Sequence, residues 1–409
     1  MQKYQLLINS ERLKDTLEKF ANYGRTENNG VTRLSLSKED IAIRNYFVSC
    51  CKKLGMAIKI DDVANIYATM PGIENKSPLI MGSHLDSVKK GGRFDGMLGV
   101  VAALEIARTL KDYHIQPRIP FTIVDFTNEE GARFEPAMMC SGIISGIFEK
   151  SKMLKSTDNE GTTFEEALNA SGYKGEIKNR LKAASAYLEI HIEQGPVLES
   201  ESLKIGVVEG VLGMITFEIE VTGDSDHAGT TPMKIRKDAL FTASDIIRET
   251  RDRLNGLDGE LVYTMGRMNV LPNIHTVIPN KAIFTLNARH KDPKVIRQVV
   301  QIINELPHEM EGCTITSREL WGRDTITFDK ELCKQLEKSA RVLGYSYKRM
   351  YSGAGHDAQN IATFLPTAMI FVPSVNGKSH CEEELTSYED CAKGVNVALD
   401  TVMAILSKQ

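Results

Sequence analysis

The apolar residues in the first part of the chain follow two alternating spacings. Residues 10–23 and 38–55 carry them at the intervals of a helix, and Ser10 is predicted to cap the first helix. Between further helical stretches such as 96–110, apolar segments have the length of strands. These segments are 78–84, 120–126 and 187–191. Apolar strands that alternate with helices are typical of a largely parallel sheet with helices on both faces.

The spacing changes near residue 212. From Ile215 to Thr222, apolar and polar residues alternate strictly, as in a strand with one exposed face. A helix, two strands, a helix and a strand are predicted next, at about 236–254, 261–270, 281–289, 293–309 and 313–320. The resulting order, β-α-β-β-α-β, is that of a ferredoxin-like unit.

The first pattern returns after this segment, with a helix at 329–343 and a buried strand at 368–372. We therefore predict an α/β catalytic domain made of residues 1–211 and 329–409, with a mostly parallel sheet and helices on both faces. An inserted ferredoxin-like α+β domain at 212–328 interrupts it. A length of 409 residues also favours two domains over one.

Composition narrows the class of protein. Hydrophobic residues at 42% and charged residues at 25% are ordinary for a globular protein, so disorder is not expected. The net charge of −4 argues against a nucleic-acid partner, and no apolar run is long enough for a membrane span. The N-terminal residues lack the apolar core of a secretion signal, and the seven cysteines form no Cys-x-x-Cys pair. We expect a cytoplasmic protein with reduced cysteines.

Candidate metal ligands lie in five short motifs, four of them beside apolar strands and the last on a later loop. They are His84 in Gly-Ser-His-Leu-Asp-Ser, Asp95 in Gly-Gly-Arg-Phe-Asp-Gly, Glu129 and Glu130 in Asn-Glu-Glu-Gly, His191 in His-Ile-Glu-Gln-Gly, and His380 in Gly-Lys-Ser-His. Open α/β sheets carry their sites at the carboxyl ends of the strands, and the strand predicted to end at His84 leaves its imidazole at that edge. Asp86 is expected to accept the other ring N–H of His84 and so to fix its tautomer.

Each motif alone has an ordinary structural explanation, since a lone histidine is more often structural and adjacent glutamates usually form a solvated face. The glycines before Asp95 do not spell a phosphate-binding loop. Together, however, the residues suit a pair of divalent ions, which needs a bridging carboxylate, about two further ligands per ion and a general base. Histidine and carboxylate ligands without a thiolate suit Zn²⁺, Mn²⁺ or Co²⁺, so two such ions per subunit are predicted.

These motifs resemble those of the hydantoinase/carbamoylase family of amidohydrolases, a branch of the metal-dependent aminoacylase/carboxypeptidase superfamily. Segments 226–233, 352–358 and 376–380 are similar to further family motifs. The family includes N-carbamoyl-L-amino-acid hydrolases, allantoate amidohydrolases and metal-dependent β-ureidopropionases. The resemblance runs from residues 30–34 to the C-terminal helix.

For the metals, the resemblance implies that Asp95 bridges the two ions. His84 and His191 would complete the ligands of one ion, and Glu130 and His380 those of the other. The implied reaction is hydrolysis of the N-carbamoyl (ureido) C–N bond of a small carboxylate, such as an N-carbamoyl-L-amino acid or allantoate.

For catalysis, the resemblance implies that Glu129 is the general base that takes a proton from the attacking water. His227 of the inserted lid and dimerisation domain would reach the site of the partner subunit in a homodimer and stabilise the oxyanion there. The guanidinium of Arg289 would bind the substrate carboxylate bidentately. The implied substrate-binding residues are Gln194, His227, Thr276, Arg289, Gly355 and His356.

Two departures from the family pattern leave the substrate open. Thr276 stands where the family often has asparagine, and Asn287 where aspartate is common. The alternatives are a deacylase or dipeptidase of the same superfamily, and an inactive metal-binding partner protein. His191 as a ligand, instead of a carboxylate, favours the carbamoylase branch. Glu129, retained beside five ligands, argues against an inactive protein.

Overall fold

The computed structural model describes residues 6–407, which form two compact units. The first, here called the α/β unit, contains the described residues up to Gly210 and from Thr327 onward. The second, here called the inserted unit, is Val211–Ile326. No helix among residues 6–407 is both long enough and apolar enough to span a bilayer.

The helices in chain order are α1 Ser10–Ala21, α2 Lys38–Lys53, α3 Met97–Asp112, α4 Met139–Ile144, α5 Lys150–Met153, α6 Phe164–Ala170, α7 Val197–Ser200, α8 Ala239–Asn255, α9 Pro293–Asn304, α10 Lys330–Val342, α11 Asp357–Ile361 and α12 Tyr388–Leu406. The strands are β1 Ala57–Ile60, β2 Ile66–Met70, β3 Leu79–His84, β4 Phe121–Phe126, β5 Ala186–Ile192, β6 Ile205–Val211, β7 Gly213–Thr222, β8 Val262–Thr264, β9 Met268–Leu271, β10 Lys281–His290, β11 Glu309–Met310, β12 Cys313–Arg323, β13 Ile326–Thr327, β14 Tyr347–Ser352 and β15 Thr367–Val372.

The sheet of the α/β unit has the strand order β1-β2-β4-β3-β5-β15-β6-β13, and β14 also pairs with β6. Its central strands β4, β3, β5 and β15 are parallel, while β1, β2 and β6 run antiparallel to their neighbours. The residues of the central strands are buried, which explains their apolar sequences. His84 lies opposite Phe126, and Ile192 opposite Val372, so the carboxyl ends of these strands lie along one edge.

The inserted unit has its own antiparallel sheet in the order β11-β12-β7-β10-β8, with β9 also paired to β10. The apolar residues of β7 predicted to face the core are buried, and α8 and α9 pack against β7 and β10. The predicted fold class, a mostly parallel α/β sheet with a separate antiparallel α+β unit, is confirmed.

Several element ends differ from the predictions. The strand predicted at 261–270 is interrupted between β8 and β9 at Gly266, which has no side chain to pack on the sheet. Helix α9 ends at Asn304 rather than 309, because Pro307 disfavours helical backbone at the residue before it. The cap of α1 is Asn9, not Ser10, since the Asn9 side chain accepts a hydrogen bond from the Arg12 N–H at 3.0 Å.

Candidate active site

Side chains from three parallel strands of the α/β unit meet at their common carboxyl edge. His84 ends β3 and His191 lies near the end of β5, while Glu129 and Glu130 follow β4. Two loops contribute Asp95, just before α3, and His380, between β15 and α12. The five predicted ligands and Glu129 therefore all lie in one unit.

Asp95 is the centre of this cluster. Its Oδ1 lies 3.0 Å from Nε2 of His191 and 3.6 Å from Nε2 of His84. Its Oδ2 lies 3.4 Å from Nε2 of His380, which in turn is 3.4 Å from Oε2 of Glu130. Two groups able to hold a cation result, His84–Asp95–His191 and Asp95–Glu130–His380, and they share Asp95.

The spacing and orientation of the donors fit metal ions. Two ligand atoms each about 2.1 Å from a tetrahedral ion are roughly 3.4 Å apart, close to the separations found here. The Nδ1–H of His84 donates to the backbone carbonyl of Asp86 at 3.0 Å, and that of His191 donates to the carbonyl of Ile192 at 2.9 Å. Both rings therefore turn Nε2 toward Asp95, which is the nitrogen left for a metal ion when Nδ1 is held in this way.

The contacts of Asp86 differ from the prediction. The ring of His84 is oriented by the backbone carbonyl of Asp86, while its carboxylate is 3.9 Å from Nδ1. The carboxylate instead accepts the backbone N–H groups of Glu129 at 3.2 Å and Glu130 at 3.3 Å. The carboxylate of Asp86 thus holds the backbone of the glutamate pair, while its backbone carbonyl fixes the tautomer of His84.

Burial and mutual charge set the protonation of the cluster. Burial lowers the pKa of His84 to about 4, so its ring is neutral. Burial also disfavours charge on His191, but the negative charge of Asp95 outweighs it and raises the pKa of His191 to about 9. Burial, followed by the charges of nearby carboxylates, raises the pKa of Glu129 and that of Glu130 well above the usual value. A bound cation would favour the charged form of these carboxylates.

A cavity of about 150 Å³ opens on the cluster and is lined by three of the predicted substrate-binding residues, Gln194, Gly355 and His356. The Nε2 of Gln194 donates to Oδ2 of Asp95 at 2.7 Å. Gln194 has left-handed backbone (φ 57°), and such a conformation costs a non-glycine residue about 1 kcal/mol or more. The ring of His356 packs 4.5 Å from that of His191.

Glu384 also belongs to the site, although sequence patterns did not single it out. Its Oε1 accepts the backbone N–H groups of Phe94 at 3.2 Å and of Asp95 at 3.1 Å, and its Oε2 accepts the hydroxyl of Ser379 at 2.8 Å. One sequence signal existed in the pair of glycines before Asp95. A Cβ on Gly92 would lie 1.9 Å from the Glu384 carboxylate, so no side chain fits there.

Two predicted site residues of the inserted unit, His227 and Thr276, lie on paired segments. His227 bridges to Val277, and the carbonyl of Thr276 accepts the N–H of Ala228 at 3.0 Å. The side chain of His227 is exposed, and its Nδ1 accepts the N–H groups of Gly229 at 3.0 Å and Thr230 at 3.2 Å. The neutral ring therefore carries its proton on Nε2 and can donate a hydrogen bond from that atom.

Arg289 lies on the face of β10 that alternates with the buried core residues. Its Nε donates to Oδ1 of Asn287 at 3.0 Å, and the amide of Asn287 donates to Thr216 at 2.7 Å. Strand β7 lies between β10 and β12, and its Met214 is paired with Arg289 of β10 on one side and with Arg323 of β12 on the other. The side chains of the two arginines therefore lie on the same face of the sheet. Burial, then the charge of Arg289, lowers the pKa of Arg323 to about 10.

Asp258, Glu260 and His290 also lie close enough together to surround a cation. However, Nδ1 of His290 accepts the N–H of Asp292 at 2.9 Å, so Nε2 carries the proton and points at Asp258, 3.4 Å away. Lys291 forms an ion pair with Glu260. These contacts explain the group without a metal.

Residues 80–404 match peptidase family M20/M25/M40. The chain belongs to this family. Within the M20 family it is an amidohydrolase of the hydantoinase/carbamoylase type, as the relatives described in the next paragraph show, and this confirms the resemblance found in the motifs. Metal binding is a property of this family, and in this chain the residues around Asp95 that could bind a metal are the two ligand groups described above.

Similar members of the M20 family match the chain over nearly its whole length. The N-carbamoyl-L-amino-acid amidohydrolase of Rhizobium meliloti is 36% identical over 403 residues, which cover 97% of this chain and 96% of that protein. The allantoate amidohydrolase of Bacillus subtilis is 33% identical over 407 residues, 98% of each chain. A solved hydantoinase/carbamoylase family amidase from Burkholderia multivorans superposes with a TM-score of 0.92 at 35% identity, covering 98% of this chain and 99% of its own.

Proposed function

We propose that this protein is a two-metal amidohydrolase that cleaves the N-carbamoyl C–N bond of a small carboxylate, such as an N-carbamoyl-L-amino acid or allantoate. The observation that carries the proposal is the sharing of Asp95 between two groups of metal ligands. A carboxylate with one oxygen toward each group is what a pair of closely spaced ions requires. The substrate class follows the names of the relatives from Rhizobium meliloti and Bacillus subtilis.

In this proposal, His84, Asp95 and His191 hold one ion, and Asp95, Glu130 and His380 hold the other. Imidazole and carboxylate donors suit Zn²⁺, Mn²⁺ or Co²⁺. When bound, such ions polarise the scissile carbonyl and lower the pKa of water.

Glu129 acts as the general base. It lines the cavity, and its Oε2 is 3.5 Å from Nε2 of His84, so it lies beside the ligands. Burial, then the charges of Asp357 and Glu130, raises the pKa of Glu129, which makes its carboxylate a stronger proton acceptor. The hydrogen bond from its backbone N–H to Asp86 fixes the backbone at Glu129.

The remaining residues bind and orient the substrate. Gln194, Gly355 and His356 line the cavity around the scissile group, and Arg289 binds the carboxylate with its planar pair of N–H donors. His227 and Thr276 belong to the same part of the substrate-binding site, because the segments that carry them are paired. We further propose that the protein is a homodimer in which the Nε2–H of His227 serves the site of the partner subunit.

Metal removal tests the proposed function. Chelation should abolish hydrolysis of allantoate, N-carbamoyl-β-alanine and N-carbamoyl-L-amino acids, and added Mn²⁺, Co²⁺ or Zn²⁺ should restore it, with two ions per subunit by mass spectrometry. N-acetyl amino acids and dipeptides assayed in parallel distinguish the carbamoyl from the acyl reaction. Full activity in metal-free protein, or hydrolysis of the acyl compounds alone, would contradict the proposal.

Gly96→Ala should remove the ion held by His84 and His191. Gly96 has left-handed backbone (φ 61°), and a Cβ there would lie 2.3 Å from Cε1 and Nε2 of the His84 ring. Gly146→Ala is the matched control, because Gly146 also has positive φ (79°) but no described atom lies within 4 Å of its Cβ position. Both variants should be strained, yet only Gly96→Ala should lose metal on dialysis. Wild-type metal content in Gly96→Ala would show that His84 is not a ligand.

A further inference from the structure

The two groups of ligands are anchored in different ways. His84 and His191 belong to β3 and β5, which are buried and hydrogen-bonded on both sides, and backbone carbonyls fix both rings. His380 belongs to a loop, its side chain is 53% exposed, and its backbone is left-handed (φ 56°). The position of His380 therefore depends on whatever holds this loop.

Glu384 holds it. The carboxylate lies between the loop of Asp95 and the loop of His380 and accepts hydrogen bonds from both, through two backbone N–H groups on one side and Ser379 on the other. Ser379 is the residue before His380, and its hydroxyl is also 3.3 Å from Oδ2 of Asp95 and 3.2 Å from Nε2 of Gln194. The side chain of Glu384 is buried, so no solvent competes for these bonds.

We propose that Glu384 is a positioning residue that makes the site of the second ion, Asp95–Glu130–His380, and that the site of the first ion, His84–Asp95–His191, does not require it. The proposal rests on the two-metal function proposed above. A carboxylate suits the task because it is an acceptor at both oxygens, whereas the amide of glutamine accepts at one atom only. Losing Glu384 should release the His380 loop while β3 and β5 stay in place.

Gly92 supports this assignment independently. A Cβ on this residue would lie 1.9 Å from Oε1 and Cδ of Glu384, so the Asp95 loop is shaped to admit the carboxylate. The loop is otherwise fastened by the ion pair of Arg93 with Glu18 at 3.0 Å and by the backbone pair of Gly91 with Val31. These contacts do not involve Glu384, which is why Asp95 should remain able to serve the first ion.

The test is a metal titration of the chelator-treated protein with Co²⁺, followed by visible absorption and by calorimetry. The wild type should bind two ions. In Glu384→Ala the affinity for the second ion should fall by about 10–100-fold, as for other residues that support metal ligands, while the first should change by less than about 3-fold. Glu384→Gln, which keeps the shape of the side chain, should lie between them. Glu383→Gln, an exposed neighbour, should titrate as the wild type does.

Gly92→Ala should also weaken the second ion selectively, because the new methyl group would displace the carboxylate of Glu384. The same substitution should have little further effect in the Glu384→Ala variant, where there is no carboxylate left to displace. Equal weakening of both ions in Glu384→Gln would show a general loss of structure and overturn the proposal, as would unchanged affinity for the second ion. If the variants give either of these results but the wild type binds two ions, the role proposed for Glu384 is wrong and the proposed function still stands. A wild type that binds fewer than two would contradict the proposed function and this proposal with it.

Discussion

Glu129→Gln is expected to lower kcat by about 10²–10⁴-fold while both ions stay bound. The amide has the shape of the carboxylate and retains the backbone hydrogen bond from residue 129 to Asp86, but it does not accept a proton. Burial and the neighbouring carboxylates favour proton uptake by Glu129, so the loss of this acceptor should appear in kcat more than in KM. Initial rates and metal content of the same preparation measure both effects.

Glu130→Gln is the matched comparison because it changes the adjacent residue in the same way. Its carboxylate lies 3.4 Å from Nε2 of His380, so this variant should lose an ion as well as activity. Restoring the ion with excess metal should recover part of the activity of Glu130→Gln and none of that of Glu129→Gln. Near-normal turnover in Glu129→Gln, or equal metal loss in both variants, would show that the base lies elsewhere.

His227→Ala is expected to lower kcat by about 10²–10³-fold, the usual cost of removing one oxyanion donor. Two backbone N–H groups bind Nδ1, so the proton of the neutral ring is on Nε2, where it can donate to a developing negative charge. His227→Gln retains an N–H donor and should lose less. Metal content should be unchanged in both variants, because His227 belongs to the inserted unit and not to the ligand cluster.

Mixing the two inactive proteins tests which subunit His227 serves. A heterodimer of His227→Ala with Glu129→Gln would have one site that lacks both groups and one that has both. Subunit exchange should therefore restore up to about half of the activity per heterodimer if each inserted unit serves its partner. His227→Ala mixed with the double variant His227→Ala/Glu129→Gln is the control and should stay inactive. No recovery in verified heterodimers would show that His227 acts in its own subunit or not at all.

Much of the fold could be predicted from the pattern of apolar and polar residues, because this pattern depends on which faces of a strand or helix are buried. The central strands are buried on both faces and therefore read as apolar runs, and β7 is buried on one face and reads as an alternation. Strands β1 and β14 were not predicted because few of their residues are fully buried, and β2 and β6 were not predicted although most of their residues are buried. The interruption at Gly266 and the end of α9 were missed because a single glycine or proline outweighed the longer pattern around it.

The site was predictable where its residues follow strands, and less so where they lie far apart along the chain. His84, His191 and the glutamate pair adjoin strand ends, and the topology of a parallel sheet brings such ends together. The contact of Glu384 with Gly92 joins residues almost three hundred positions apart, and no local pattern marks it. The error over Asp86 has a similar cause, since spacing did not reveal that its backbone carbonyl, rather than its carboxylate, meets the ring of His84.

In the proposed two-metal enzyme, the buried carboxylates at the strand edge would also connect the supply of metal to the amount of enzyme in a cell. Ions that bind only the folded chain stabilise it by mass action, by about 2.7 kcal/mol when the free ion exceeds its Kd a hundredfold. Without the proposed ions the folded chain would lose this stabilisation, and Glu129 and Glu130 would take up protons in buried positions, so a larger fraction of molecules would unfold and become accessible to proteases. In a metal-starved cell such a protein would be degraded as well as silenced, and activity would return at the pace of new synthesis rather than of rebinding.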